Sequence, residues 1–416
     1  MVDYSSGAIR EQFLDSSSFN QSRCEFRLPN DYSILSNMKL LNLGATCDSA
    51  QGYNRACGVS ALIKNIRLLD GANVLSECRQ VGKNLGFRVL NNSNNVVQSF
   101  QSPCLLGTNI NYSTKIIDAT DSVAYKVYSA NRYNSQIPDI TTDEATTSKG
   151  LLVLSDVLPF LSKVSMLDKM VFKNGLRLQI EWETDRLTST NSLNGNLTIL
   201  EPVLCLYNVV GMDLYSELKM NPGVMTWFER EVDTRFYDAQ TSVTQKFNGF
   251  DNKKCSRILV AKEYSTGSNY LGSNNQVEAF GKSGSVALLQ ETINVINNGV
   301  QVFPTDLNAD DIARQTVNAF GQVMGHVGFN KVQSKTTGFP DYSLLCNSPT
   351  LQAGKIAFNG VKMANETIKN LQIKLGRNPT PEWSTGNGDY LNVYVFGDVA
   401  KMMSVDKNGN YVVGYV

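Results

Sequence analysis

The chain has 416 residues, 42% hydrophobic and only 18% charged, with Lys+Arg and Asp+Glu equal at 38 each. That length exceeds one ordinary core and sets two domains as the starting expectation. Zero net charge speaks against a basic nucleic-acid binder and an acidic solvating tail, and leaves little repulsion between copies. Asn, Ser, Thr, Gly and Val are plentiful and Glu/Lys-rich helical patterns scarce, a composition that leans to β structure with polar loops.

Residues 1–19 are polar and weakly periodic. Glu11–Leu14 offers one helical turn at most, and the segment reads as an arm, loose in the monomer and ordered by a neighbour. The stretch MVDYSSGAIREQF lacks the apolar core of a signal peptide, so synthesis inside a cell is expected. Strands follow at CEFRLP from Cys24 and at Met38–Leu43. Then comes Gly58–Leu75, GVSALIKNIRLLDGANVL, with a strand over Ala61–Leu69 running into an Asp70-Gly71 turn. Ala72–Arg88 admits a short helix or a further strand. Residues 91–150 look least regular, apart from a strand at Ser122–Ala130.

Leu151–Met170 reads as a short helix or pair of turns limited by Pro159. Leu176–Trp182, LRLQIEW, alternates strictly and predicts a strand with one wet face. Leu197–Val210 is a long strand whose Pro202 predicts an edge or a bulge. Residues 211–242 read as a linker, with helical spacing at Met212–Met220 and a further turn at Val224–Glu231, too apolar to be a free tether.

The remainder repeats the first half. Val243–Phe250 and Cys255–Glu263 stand where CEFRLP and MKLLNL stood. Gly284–Val302, GSVALLQETINVINNGVQV, rewrites the Gly58–Leu75 stretch about 226 residues later, with Asn297-Asn298-Gly299 at the turn. Leu307–Phe329 reads as helix, Asn370–Leu375 mirrors LRLQIEW, and Tyr390–Phe396 mirrors LTILEPVL. The expected division is an arm at 1–19, one sandwich over 20–210, a linker at 211–242, a second sandwich over 243–403 and a tail at 404–416. Without βαβ alternation a parallel Rossmann-type sheet is not expected. About eight strands per half define the expected fold, all-β, two tandem eight-stranded antiparallel jelly-roll sandwiches with short helices in loops.

Chemistry is sparse. His326 is the single histidine, so a multi-histidine metal site or cupin centre is ruled out, and no G-x-S-x-G elbow accompanies it. It reads as a polar or partly buried residue between Gly325 and Gly328. Gly281-Lys282-Ser283-Gly284 contains G-K-S, but Gln276 stands where a phosphate loop needs glycine and a strand follows where a helix is required. Asp143-Glu144 and Asp310-Asp311 lack the spaced ligands of a calcium loop and read as solvated carboxylates, the second pair at a helix start. The 8 cysteines, Cys24, Cys47, Cys57, Cys78, Cys104, Cys205, Cys255 and Cys346, form no C-x-x-C pair and read as reduced thiols. No catalytic, cofactor-binding or metal-binding residue is assigned, no cofactor is expected, and no run of 18 apolar residues suggests a membrane helix.

On three features the chain resembles the double jelly-roll major capsid proteins of double-stranded DNA viruses, in particular the group of polinton-like viruses, virophages and adintoviruses. They are the duplicated order over residues 20–403, the succession FRLP, strand, IRLLDG, and the run VLSDVLPFLSK, MLDKM, GLRLQIEW within Val153–Trp182. The resemblance implies a non-enzymatic structural protein of the virion capsid. It implies homotrimers forming pseudo-hexagonal capsomers that tile an icosahedral shell. Implied partners are copies of itself and neighbouring capsomers, penton and minor capsid proteins, and an internal membrane or minor proteins beneath the shell, with no sequence-specific nucleic acid. The chain is shorter than larger members of that group, which speaks against tower-like surface domains. The alternative is a tandem β-sandwich binding carbohydrate or serving in attachment, which would need exposed aromatics beside Asn or Asp. Trp182, Trp227 and Trp383 are the tryptophans available for that role.

Overall fold

A computed structural model describes residues 8–48, 51–52, 58–82, 84, 115–118, 124–127, 139–140, 142–145, 147, 149–183, 197–210, 223–237, 242–264, 290–306, 332–334, 359–378 and 391–416. In the first half the sheet strands are β1 (Ala8–Leu14), β2 (Arg23–Arg27), β3 (Ser33–Leu35), β4 (Lys39–Leu43), β5 (Ile63–Asp70), β6 (Asn73–Arg79), β7 (Gly150–Val153), β8 (Leu176–Trp182) and β9 (Val203–Val210). In the second they are β10 (Val224–Tyr237), β11 (Ser242–Phe247), β12 (Lys254–Tyr264), β13 (Gln290–Asn297), β14 (Val300–Gln301), β15 (Asn359–Thr367), β16 (Leu371–Asn378), β17 (Leu391–Val405) and β18 (Tyr411–Tyr415). A short helix, α1, spans Pro159–Lys163, with its proline at the first turn, so Pro159 opens this helix where the sequence suggested that it would end one.

All pairing in these sheets is antiparallel. In the first half β1, β9, β4 and β7 lie side by side in one sheet, and β2, β8, β5 and β6 in the other. In the second half the orders are β10, β17, β12, β15 and β11, β16, β13, β14. With β3 and β4 counted as two pieces of one bent strand along β9, both halves read 1-8-3-6 and 2-7-4-5 in strand number. This is the jelly roll, written twice with the same connectivity.

The repeated stretch shows why. Asp70 ends β5, Gly71 (φ 61°) starts a two-residue turn, and β6 returns. Asn297 ends β13, and Asn298 and Gly299 (φ 53° and 78°) make the corresponding turn with both residues left-handed, as hairpin twist requires. The Asp70 carboxylate accepts the backbone N–H of Asn174 at 2.8 Å, just before β8. The Asn297 side-chain oxygen accepts the backbone N–H of Lys369 at 3.0 Å, just before β16. The duplication is therefore preserved down to one side-chain-to-backbone bond. The Gly58–Leu62 part of the first copy is a 3-10 turn ahead of the strand.

Alternation decides which faces are buried. Leu176, Leu178, Ile180 and Trp182 of β8 all lie in the first core. Pro202 falls in a gap between a short strand, Leu197–Ile199, and β9, which is paired on both sides. It breaks the predicted long strand instead of marking an edge, because a residue without an N–H cannot sit in a central ladder. Gly397, within β17, lies under the Phe250 ring. A Cβ there would stand 2.6 Å from a ring carbon. Gly397→Ala should therefore cost about 1–3 kcal/mol by overpacking, read as a lower denaturant midpoint with unchanged slope.

Three segments depart from expectation. The arm contains β1, which pairs with β9 from Ala8↔Val210 to Leu14↔Leu204 and is neither helical nor free. The linker contains the 14-residue strand β10, paired along its whole length with β17, where a turn was expected. The tail contains β18, paired with the end of β17. β1 and β10 are the same first strand of the two jelly rolls. Of Ala72–Arg88, Asn73–Arg79 forms the strand β6 and residues 81, 82 and 84 are helical, while 83 and 85–88 lie outside the described residues. A small sheet joins Lys115–Asp118, Ala124–Val127 and Val332–Ser334, from insertions of both halves. The expected helices at 212–220 and 307–329 lie outside the described residues.

Candidate functional site: the seam between the halves

The polar and aromatic groups that the fold concentrates lie where the two jelly rolls meet. Strands β10 and β17 are longer than their counterparts β1 and β9, and their far ends overhang their own sandwich. There the overhang completes the first core. Trp227 and Met403 are members of that core, and Met225, Val405, Tyr411 and Val413 pack on it. The second core, built around Phe247, Phe250, Ile258, Val395 and Leu371, is separate.

An aromatic series runs through the contact. Trp227 meets Phe160 of α1 edge-on at 5.3 Å between centroids, Phe160 meets Phe172 at 6.0 Å, and Phe172 meets Tyr411 at 5.3 Å. Phe160 and Phe172 come from the Val153–Trp182 run, so one of the three stretches that carry the resemblance also docks the second half. Tyr411 donates its hydroxyl to Asp70 at 2.8 Å. Burial, together with that carboxylate, holds the Tyr411 phenol well above its usual range. The turn of the duplicated hairpin thus also anchors the C-terminal strand.

Beside the aromatics lies a buried charge network. Glu229 of β10 is fully buried. It accepts the Ser76 hydroxyl at 2.9 Å and the backbone N–H of Glu77, both on the edge strand β6, and is ion-paired with Lys401 at 2.9 Å. A strand edge otherwise left open is closed by a carboxylate from the other half. Asp398 binds Arg230 through two contacts, 2.7 and 3.2 Å, and Arg257 at 2.8 Å. Arg230 also donates to Asn84 of the first half at 3.1 Å. Burial pushes the Asp398 carboxyl up, but the guanidinium charges outweigh it and hold it below the ordinary range. Glu231 is likewise held down against burial by Lys253 and Lys401, and Lys401 is raised, against burial, by Glu229 and Glu231.

A cleft of about 450 Å³ opens on this seam, lined among others by Glu77, Arg79, Arg230, Glu231, Lys253 and Lys401. Its four cations each face a carboxylate, Arg79 to Glu77 at 3.1 Å, Arg230 to Asp398, Lys253 to Glu231 at 2.6 Å, and Lys401 to Glu229. Such an arrangement spends its charge on cohesion between the halves.

The residues weighed from sequence are not brought together here. Trp182 lies in the first core and Trp227 in the seam, so neither is presented to solvent as a sugar platform. Asp143 accepts the N–H of Ala145 at 2.9 Å, and Glu144 pairs with Lys149 at 3.0 Å, a loop arrangement. Cys24, Cys47, Cys78, Cys205 and Cys255 are free and buried. Burial raises the thiols of Cys24, Cys78 and Cys255 to about 12. No group of three or more His, Cys, Asp or Glu suited to a metal ion occurs among the described residues. His326, Gly281–Gly284, Asp310-Asp311, Trp383, Cys57, Cys104 and Cys346 lie outside the described residues. Glu229, Asp398 and Lys401 were missed, because each reads as a surface residue of a strand whose partners are far away in sequence.

The fold so defined is a doubled jelly roll with a fused seam. No family model and no curated protein matches the sequence. Solved structures with the same fold are found. The PBCV-1 virus capsid has a TM-score of 0.52 at 9% identity, covering 100% of this chain and 98% of that chain. The Sputnik virophage structure gives 0.54 at 13% identity, covering 100% and 90%. The mavirus major capsid protein gives 0.52 at 11% identity, covering 97% and 90%. The likeness in fold extends over 97–100% of this chain, both jelly rolls included, as the resemblance implied.

Proposed function

We propose that this protein is a structural major capsid protein that trimerises into pseudo-hexagonal capsomers tiling an icosahedral virion shell. The observation that carries the reading is the seam. The second jelly roll supplies Trp227 and Met403 to the core of the first, so one chain makes a single thick two-sandwich block of fixed relative orientation. Full-length likeness in fold to viral capsid structures supports it. On this reading the boundary between the jelly rolls falls within 211–223, the protein is not an enzyme and needs no cofactor. Its place is the virion, after synthesis in the host cell. Its partners are its own copies, then neighbouring capsomers, penton proteins and minor capsid proteins.

Light scattering after size exclusion tests this. The expected mass is three times the 45.9 kDa chain, stable to dilution as an obligate interface should be, with hexagonal outlines in negative stain. A monomer at all concentrations would overturn the reading.

A further inference from the structure

The chain as a whole is neutral, but the outward face of the sheet β2, β8, β5 and β6 is not. Register places Arg27 beside Arg177, Gln179 between Glu25 and Arg67, and Glu181 between Arg23 and Asn65. Glu77 and Arg79 complete the last two rows on β6. With Lys64, which pairs with Glu181 at 3.6 Å, the face holds six cations against the three carboxylates Glu25, Glu77 and Glu181. The charges are also layered. Glu25 is 8% and Glu77 18% exposed, whereas Arg27, Arg23 and Arg79 are 76%, 59% and 55% exposed. Glu25 is shared by Arg23 at 3.0 Å, Arg177 at 3.7 Å and Arg27 at 3.9 Å, so three guanidiniums with five donors each surround one carboxylate. Water meets a positive outer layer over a negative inner one. A cleft of about 430 Å³ opens at the Arg23 end, between Lys64, Arg67 and Gln179.

The duplicate builds the same face differently. Ser242, Lys246, Asn294 and Gln372 stand where the first half has Arg23, Arg27, Arg67 and Arg177. Asn294 is fully buried, and its amide donates to the carbonyls of Phe303 and Thr305 and to the Asp306 carboxylate. Asp306 also pairs with Lys374 at 2.7 Å. In the second half, then, the chain itself covers the middle of the face. Arg67, at the matching position of the first half, reaches solvent. One sheet face is closed by its own loop, and its duplicate is left open and lined with arginine.

We propose that this open face binds the phosphate backbone of a double-stranded nucleic acid without reading its sequence. Five of the six cations are arginines, whose planar fork matches a phosphate bidentately. No aromatic residue occupies the outward positions of the four strands, so unpaired bases find nothing to stack on and a single strand is the poorer fit. From Arg27 to Arg23 the face runs about 13 Å along β2, the length of about four phosphates on one strand of a duplex. The excess of three positive charges sets the phosphates neutralised at about three. The inference goes beyond the capsid reading and does not depend on it, since the face belongs to a single chain.

The test is fluorescence anisotropy of a short labelled DNA duplex titrated with the full-length protein. A second duplex of unrelated sequence should bind equally well. With about three phosphates neutralised, affinity should fall about 40-fold between about 50 and 200 mM salt. Arg27→Glu and Arg23→Glu, made separately, should each weaken binding at least about tenfold at the lower salt. Lys246→Glu is the control. Lys246 is exposed and holds the position of Arg27 in the second half, and its reversal should leave affinity within about twofold. Circular dichroism, thermal melts and light scattering verify that each variant keeps the fold and mass of the wild type. The proposal is overturned if the wild type shows no salt-dependent binding, if both arginine variants bind as the wild type does, or if Lys246→Glu weakens binding as much as they do. Tighter binding of polyglutamate than of the duplex at equal charge also overturns it, and makes an acidic polypeptide the occupant. None of these results alters the mass that tests the capsid reading.

Discussion

Replacing Trp227 with alanine should cost about 3–5 kcal/mol, the range for removing a large aromatic from a packed core, and should split the unfolding transition in two. Trp227 is 2% exposed and belongs to the core of the jelly roll that does not contain it in sequence. Its removal opens a cavity against Phe160 and loosens the series from Phe160 through Phe172 to Tyr411. The second core contains none of these residues and keeps its own packing. Denaturation followed by far-UV circular dichroism should then show an early step for the first half and a later one for the second, where the wild type unfolds in one. Trp227→Phe keeps a ring in the slot and should lose markedly less. A single transition in Trp227→Ala with an unchanged midpoint would remove the seam from the account of stability.

Asp398→Asn should destabilise by about 3 kcal/mol or more, because two buried or half-buried guanidinium groups lose their counter-charge. Arg230 and Arg257 would then share a neutral amide. Acid should act on the same groups. Asp398, Glu231 and Glu77 all have carboxyls held below their ordinary values despite burial, by Arg230 and Arg257, by Lys253 and Lys401, and by Arg79 and Arg67 respectively. A depressed folded pKa contributes stability that is present above the unfolded value, about 4 for these carboxyls, and is lost as pH falls through the folded one. The melting temperature should therefore hold from neutral pH to about pH 5 and fall below about pH 4. In Asp398→Asn the acid-side fall should be shallower, since one of the three carboxyls is gone. An equally steep fall in the variant would place the acid response elsewhere.

Much of the fold was legible because the relevant signals are local. In Leu176–Trp182 every second side chain is buried by the strand's own sandwich, so period two is visible in seven letters. The Asp70-Gly71 and Asn298-Gly299 turns require left-handed backbone, and that requirement shows directly as glycine and asparagine. The absence of an assigned catalytic or metal residue rested partly on stretches outside the described residues, and the seam cleft, with its paired charges, was not foreseen at all.

By itself, then, the sequence determined the strand faces, the hairpins and the fact that one design occurs twice, since each depends on neighbours a few residues away. Tertiary structure alone decided that β1, β10 and β18 belong to the sheets. β10 buries the charge of Glu229 beside Trp227, and β1 leaves Ile9 and Phe13 outward, so no clean apolar alternation marks either strand. Glu229 is buried only because Ser76, Glu77 and Lys401 receive it; Ser76 and Glu77 come from a sheet of the other half and Lys401 from the neighbouring strand β17, each more than 150 residues away in sequence. A charge that distant partners satisfy is indistinguishable in one dimension from a charge that water satisfies.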